Sequence, residues 1–398
     1  MALAQRLDLL GTEKAFAVSL AAADWAARGN RVFPFHLGDL NIPTASSITA
    51  AMNEAIASGK TGYCPAAGIA ALREALARDV GQRRGLEFEP ANVVVQPGGK
   101  PVITKFIQTV MDPGAGVLFP NPGFPIYESQ ITYFGGQALG YRYVETRSGF
   151  SIDLDYLRSL ITPTTTAIIY NDLQNPLGCE SSPEEQEAIA AIAIEHDLWV
   201  LSDEAYFETR YSGTSRSIAS LPGMIDRTVI LYTFSKKYAM TGWRLGAAIA
   251  PRPVAEILAK LNTNDESCTA QFVQAAGVGA LDSPVSETAA LLDELRRRRD
   301  AAHAELSRIP GLVCPRPEST FYLFANVTAT MARMGFDAVG AFADAALRAT
   351  GVSFCTRRHF GTPPPGETQQ YVRFAYSGIG LADIAAGLSG LRQWVEAS

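Results

Sequence analysis

The sequence predicts an α/β fold: a mostly parallel sheet covered by helices on both faces, with a smaller α+β domain beside it. Three observations carry this. Short continuous apolar runs recur along the 398 residues, each followed by a turn rich in Gly, Pro or Asp and then a helical stretch. Strands buried on both faces of a parallel sheet read this way. The length suits two or three domains at about 150 residues each. After about residue 285 the texture changes to a long charged helix followed by mixed short elements.

The elements follow in order. Asn92-Val-Val-Val-Gln96 is a β-branched run that meets Pro97-Gly98-Gly99-Lys100 and then a helix through Met111. Gly116-Val-Leu-Phe119 leads into Pro120-Asn-Pro-Gly-Phe124, and Thr166-Ala-Ile-Ile-Tyr170 leads into Asn175-Pro176. Ser182-Pro183-Glu184-Glu185 is a capping box with Pro at the first helical position, so a helix starts there and runs to about Asp197. Leu198-Trp-Val-Leu201 ends in Ser202-Asp203-Glu204, and Thr228-Val-Ile-Leu-Tyr232 ends in Thr233-Phe-Ser-Lys236. The helix Glu287 to Arg308 carries four arginines, Arg296 to Arg299. Asp293, Glu294 and Asp300 flank them, which predicts a solvated helix face. Gly311 to Ser398 reads as the smaller domain, packed with the N-terminal arm. The expected division is 1–45 (arm and part of the small domain), 46–284 (large domain) and 285–398 (small domain).

Composition excludes several classes. Thirty-four basic against 40 acidic residues give a net charge of −6, which argues against nucleic acid or anionic membrane as the main partner. An apolar fraction of 47% excludes bulk disorder. Five cysteines with no CxxC pair, and only four histidines, offer neither a disulfide framework nor zinc spacing, so no metal is expected. No apolar run reaches the length of a membrane span. Ala15 to Ala23, preceded by Asp8, Glu13 and Lys14, reads as an amphipathic helix rather than a signal segment. Together these predict a reduced, cytoplasmic protein.

Ligands of doubly covered parallel sheets sit beyond the carboxyl ends of the strands, and the polar groups above fall at those ends. A lysine near the end of a buried strand has its charge disfavoured by burial, and a lysine of lowered pKa forms Schiff bases with carbonyls. Ser235 and Arg244 flank Lys236 at fixed distances and could hold a phosphate, a hydroxyl plus a bidentate fork. An acid on a neighbouring strand could keep a pyridinium nitrogen protonated. These are the parts a pyridoxal phosphate site needs.

The stretch Ser235-Lys-x-x-Ala-Met-Thr-Gly-Trp-Arg-Leu-Gly246 resembles the class I/II aminotransferases, the aspartate-aminotransferase-like branch of fold-type I pyridoxal-phosphate enzymes. The resemblance extends from about Phe33 to Trp394. It implies that Lys236 holds the cofactor in Schiff-base linkage and moves the substrate proton. The eight-residue step to Arg244 selects Lys236 over Lys237. Asp203 would pair with the pyridine nitrogen, and Tyr206 and Asn175 would hydrogen-bond its phenolic oxygen. Arg244, Ser235, Thr233 and the Gly98-Gly99-Lys100 turn would hold the phosphate, with Phe124 stacked on the ring. Arg373 and the backbone of Gly38 would take the substrate α-carboxylate. Tyr63 resembles the tyrosine lent to the partner subunit's phosphate, which implies a homodimer. Amino acids and 2-oxo acids would be the substrates, exchanged by ping-pong kinetics. A cofactor-binding regulator on the same fold is not expected, because the chain begins almost directly in the family-like region.

Three departures bear on the reaction. Leu177 replaces the usual Thr of Asn-Pro-Thr-Gly, as in the S-adenosylmethionine-cleaving synthases of the same superfamily. This supports an alternative reading, elimination or replacement at Cβ or Cγ. Asp172, in Asn171-Asp-Leu-Gln174, puts a carboxylate near the pocket. Arg357 and Arg358 stand on a loop that faces substrate in the family, and could read an acidic side chain or a phosphate. Cys64 and Cys179 lie beside site segments as bystanders.

Overall fold

The computed structural model describes residues 3–11 and 15–398; Glu13 and Lys14 lie outside them. In chain order the strands are β1 (Phe33–Pro34), β2 (Val93–Gln96), β3 (Gly116–Pro120), β4 (Gln137–Tyr141), β5 (Tyr143–Thr146), β6 (Gly149–Ile152) and β7 (Thr165–Tyr170). They continue with β8 (Trp199–Asp203), β9 (Thr228–Thr233), β10 (Gly246–Ile249), β11 (Tyr322–Asn326), β12 (Val352–Ser353), β13 (Cys355–Thr356) and β14 (Tyr371–Ala375).

Seven strands form the main sheet in the order β2-β10-β9-β8-β7-β3-β4. All its pairings are parallel except those of β10, which is antiparallel to both neighbours. β2, β3 and β9 are buried at every position, as their unbroken apolar runs require. One face packs on the helix Lys100–Val110 through Val102, Phe106 and Ile107, against Val94, Leu231 and Ala248. The other face packs on the helix Ala70–Arg84 through Leu72, Leu76 and Val80. The capping box forms as predicted: Ser182 Oγ accepts from the Glu185 N–H at 3.2 Å, Glu185 returns a contact of 2.7 Å to Ser182, and the helix spans Pro183–Glu195.

A second sheet, β11-β14-β13, carries a separate core with Phe321, Leu323, Phe374 and Leu388. β1 pairs in parallel with β12, so the N-terminal arm joins the C-terminal elements.

Two expectations are corrected here. The helix Ala15–Ala27 is not amphipathic: Leu20 is 70% exposed, and its described side chains bury little beyond Ala22. The segment is almost entirely apolar, so it has no polar face to oppose a buried one. The arginine run on the helix Val285–Leu306 is solvated only in part, because its pitch turns Arg298 and Arg299 inward. Arg298 donates to Glu294, Asn41 and the Ser377 carbonyl. Arg299 donates to Asp300 and the Pro317 carbonyl and lies 4.4 Å over the Tyr211 ring. Each buried guanidinium is paired, as desolvation demands.

Candidate active site

At the carboxyl ends of β7, β8 and β9 the chain opens a cavity of about 400 Å³. Asp203 ends β8 and is buried. The Tyr127 hydroxyl donates to its Oδ2 at 2.5 Å, and the Ala205 N–H donates to Oδ1 at 3.2 Å. Burial pushes the Asp203 carboxyl up, while these two donors and the Lys236 charge pull it partly back. Burial also raises Tyr127 well above the ordinary phenol range, so the proton between them stays on the tyrosine.

Lys236 follows β9, and its ammonium donates to the Gly38 carbonyl at 2.8 Å. Neighbouring side chains at these strand ends point to opposite sides, and two doublets show it. Lys236 faces the cavity, whereas Lys237 turns away into an ion pair with Glu208 at 2.7 Å. Asp203 faces the cavity, whereas Glu204 accepts from Arg84 at 2.5 Å and from Ser202 at 2.9 Å. Arg83 reaches the same Glu208 at 2.8 Å, so two consecutive arginines at the end of one helix pair with Glu204 and with the carboxylate that holds Lys237.

At one end of the cavity stand Gly98, Gly99, Thr233, Ser235 and Arg244. Gly99 is the N-cap of the helix Lys100–Val110, in which Pro101 has no N–H and the Val102 N–H donates to the Gly99 carbonyl at 3.1 Å. Gly98 has φ +100°, and a Cβ there would lie 2.2 Å from Arg244 Nη2, so only glycine lets the guanidinium approach. Arg244 itself takes the left-handed conformation, with φ 56°, and donates to the Thr241 carbonyl at 2.8 Å. Thr233 Oγ1 donates to Ser235 Oγ at 2.9 Å.

The opposite end is built on β14. Arg373 is 4% exposed and has no acidic partner among the described residues. It donates to Asn175 Oδ1 at 2.9 Å and to the His36 carbonyl at 2.7 Å. Its guanidinium lies between two rings, 4.4 Å from the centre of Tyr322 and 4.6 Å from that of Phe360. Its Nε is buried without a hydrogen bond. Beneath it, burial and the Arg373 charge lower His36 to about 4, so the imidazole is neutral and shares a 2.6 Å hydrogen bond with Ser353. Tyr206 contacts the Tyr322 hydroxyl at 2.6 Å.

The residues picked from sequence mostly converge. Gly38, Gly99, Lys100, Phe124, Asn175, Asp203, Tyr206, Thr233, Ser235, Lys236, Arg244 and Arg373 line this cavity, and Gly98 backs it. The Lys100 ammonium lies 5.5 Å over the Phe124 ring. Tyr63 lies outside the cavity, 89% exposed. Tyr127, Asn171 and Tyr322 also line it and escaped the sequence reading. Tyr127 could have been found three residues after Phe124 on a helix start. Tyr322 needs the register: Phe324 lies opposite Arg373, and Tyr322 is the diagonal neighbour on the same face.

Three expectations are corrected. Arg357 and Arg358 do not line the cavity. Arg357 is 3% exposed and committed to Glu367 at 2.9 Å and Asn121 at 2.8 Å, and Arg358 is exposed. Asp172 points away from the cavity and accepts from Tyr170, Ser181 and Gln186; burial raises it to about 7. Leu177 packs among Phe150, Phe324 and Tyr371 outside the cavity, so the replacement on which the elimination reading leaned does not touch the chemistry. Cys179 packs beside that cluster, and Cys64 lies against Cys268 and Gln274. Among the described residues no group of His, Cys, Asp and Glu could hold a metal, and no helix is long and apolar enough to cross a membrane.

Residues 32–388 match the family described as aminotransferase class I and II. The chain is 31% identical over 401 residues to an aspartate aminotransferase of Geobacillus stearothermophilus, covering all of both chains. It is 32% identical over 339 residues to an arginine–pyruvate transaminase of Pseudomonas aeruginosa, covering 85% of each. Its fold superposes on a solved aspartate aminotransferase of Thermus thermophilus with maleate, at a TM-score of 0.90, 27% identity and 99% coverage of both chains.

Proposed function

The chain belongs to the aminotransferase class I and II family and transfers amino groups, and from that premise we propose that the cavity holds pyridoxal 5′-phosphate on Lys236 between an amino acid and a 2-oxo acid. One observation carries the reading. A lysine ammonium, a buried carboxylate and a buried guanidinium face one cavity, with Thr233, Ser235 and Arg244 at its far end.

The residues fit the cofactor. The volume suits a small ligand. A protonated ring nitrogen would supply a charge that favours the carboxylate of Asp203 against the burial that raises it. Arg244, Ser235, Thr233 and the backbone of Gly99 and Lys100 would hold a phosphate, with Gly98 leaving room for the guanidinium. Tyr206 and Asn175 would face the ring oxygen, and Phe124 the ring. When bound, the cofactor supplies the electron sink that lets the Cα–H bond ionise.

The chain's own residues do the rest. Arg373 clamps the substrate α-carboxylate, with Gly38 close by, and so fixes which Cα bond stands above Lys236. The Lys236 amine takes and returns the Cα proton. Asn175, bound to Arg373 and facing the ring oxygen, links substrate binding to cofactor electronics. Tyr63 would reach the phosphate of the partner subunit's site, making the active unit a homodimer. The large region 46–284 would carry the cofactor, and residues 1–45 and 285–398 the substrate clamp.

The lysine doublet supplies the test. Lys236→Ala should lose the visible absorbance of bound cofactor and all turnover, while Lys237→Ala, lacking only the brace to Glu208, keeps the absorbance. The reverse result would refute the assignment. A screen of amino acids for conversion of the loaded enzyme, one at a time, identifies the substrate.

A further inference from the structure

Tyr322 touches three parts of the site: Tyr206, Arg373 and Gly38. Its hydroxyl is 2.6 Å from that of Tyr206. Its ring lies 4.4 Å beneath the Arg373 guanidinium. Its hydroxyl also packs so closely on Gly38, whose carbonyl accepts from Lys236, that a Cβ at Gly38 would lie 2.2 Å away. The residue is 2% exposed, and its strand is locked to β14 over five residue pairs, so none of these contacts is incidental to a mobile side chain. A buried aromatic that sits under an arginine and also hydrogen-bonds a pocket tyrosine does more than fill space.

We infer that Tyr322 is a positioning residue with two separable roles: its hydroxyl strengthens Tyr206 as a donor to the cofactor's ring oxygen, and its ring holds the Arg373 guanidinium flat for the substrate carboxylate. The inference rests on the reading of the cavity given above. Tyr206 has one proton. With an anionic oxygen in front of it, that proton points forward, and the Tyr206 oxygen is left to accept from Tyr322. Hydrogen bonds in such a chain polarise one another, so a donor behind Tyr206 makes it a better donor in front. A stronger donor stabilises the anionic ring oxygen and eases loss of the proton from the cofactor's Schiff-base nitrogen. The ring acts differently. A guanidinium between two aromatic faces is held in plane by its attraction to both, and this attraction grows when water is excluded. Among the described residues Arg373 has no carboxylate to fix it.

Two substitutions separate the roles. Tyr322→Phe keeps the ring and removes the hydroxyl. In the loaded enzyme without substrate, the pH midpoint of the visible cofactor absorbance should rise by about half a unit, the size expected for one neutral hydrogen bond lost from the chain. Affinity for 2-methylaspartate or 2-aminoisobutyrate, whose Cα carries no proton to remove, should stay within about twofold. Tyr322→Leu removes the ring too, and affinity for the same ligands should weaken by roughly five- to thirtyfold, in line with a desolvated cation–π contact. A Phe variant that loads with cofactor and titrates at the wild-type midpoint overturns the hydroxyl role. A Leu variant that loads but binds both ligands as wild type does overturns the ring role. If wild-type protein takes up no pyridoxal phosphate, the cavity reading fails first and this inference with it. Cofactor loading and circular dichroism of each variant keep a folding defect distinct from these outcomes.

Discussion

Two arginines of the C-terminal region invite comparison. Arg373 and Arg357 are both buried, at 4% and 3% exposure, and each donates to an asparagine. Arg357 is closed off by Glu367, whose carboxylate lies 2.9 Å from its Nε, and its Nη1 donates to the carbonyls of Phe360 and Gly361. Among the described residues Arg373 has aromatic faces where Arg357 has an acid. Burial alone therefore says little about what an arginine does. A guanidinium whose charge is met inside the protein is a brace. One whose charge is left unmet, on a cavity wall, is a receptor that awaits an anion.

The largest test of this difference is Arg373→Ala. It would remove two charge-assisted hydrogen bonds to a substrate carboxylate, at about 1.5–3 kcal/mol each. The expected fall in kcat/KM is roughly 10²- to 10⁴-fold, with little loss of thermal stability, since no buried acid is orphaned. A fall of less than tenfold, measured on the substrate found by the screen, would mean the carboxylate is held elsewhere.

Arg357→Ala should show the opposite pattern. It orphans Glu367, whose side chain is only partly solvated at 18% exposure, so a destabilisation of up to about 3 kcal/mol is expected. The unfolding midpoint should drop by a few degrees, with kcat/KM within about threefold of wild type. Arg358→Ala should change neither. A large loss of kcat/KM in either variant, with the fold intact, would restore the acidic-substrate role that the sequence suggested for this loop.

The smallest test uses pH. Asp172 is raised from 3.8 to about 7, chiefly by burial, against the pull of its three donors. Between about pH 4 and 7 the folded chain holds a proton that the unfolded chain has released. Stability contributed by this group is therefore full below that window and is lost as pH rises through it. Asp172→Asn should flatten that part of the profile, so that the gap between variant and wild-type unfolding midpoints moves in the variant's favour from pH 4 to pH 7. A gap that does not change with pH would show that Asp172 is ionised throughout, held by Ser181 and Gln186.

The sequence by itself determined the parts of this protein that are encoded by local pattern. Unbroken apolar runs specified the strands of the main sheet, because a strand covered on both faces has no polar side to show. Ser182 and Glu185 specified a helix start, because each side chain satisfies the other's N–H three residues away. The polar groups that end the apolar runs placed a site at the carboxyl ends, because parallel strands deliver their last residues to one edge, and the family-like eight-residue step to Arg244 chose Lys236 over Lys237. Only the tertiary structure decided where the long side chains went. It turned Lys236 and Lys237 apart, buried Arg298 and Arg299 on a helix that reads as solvated, and drew Arg357 onto Glu367 and away from the cavity. It also brought Tyr127 to Asp203 and Tyr322 to Tyr206 across 76 and 116 residues of chain. Whether a charge is a ligand site or a brace depends on which partner lies within a few ångströms of it, and that partner comes from another part of the fold.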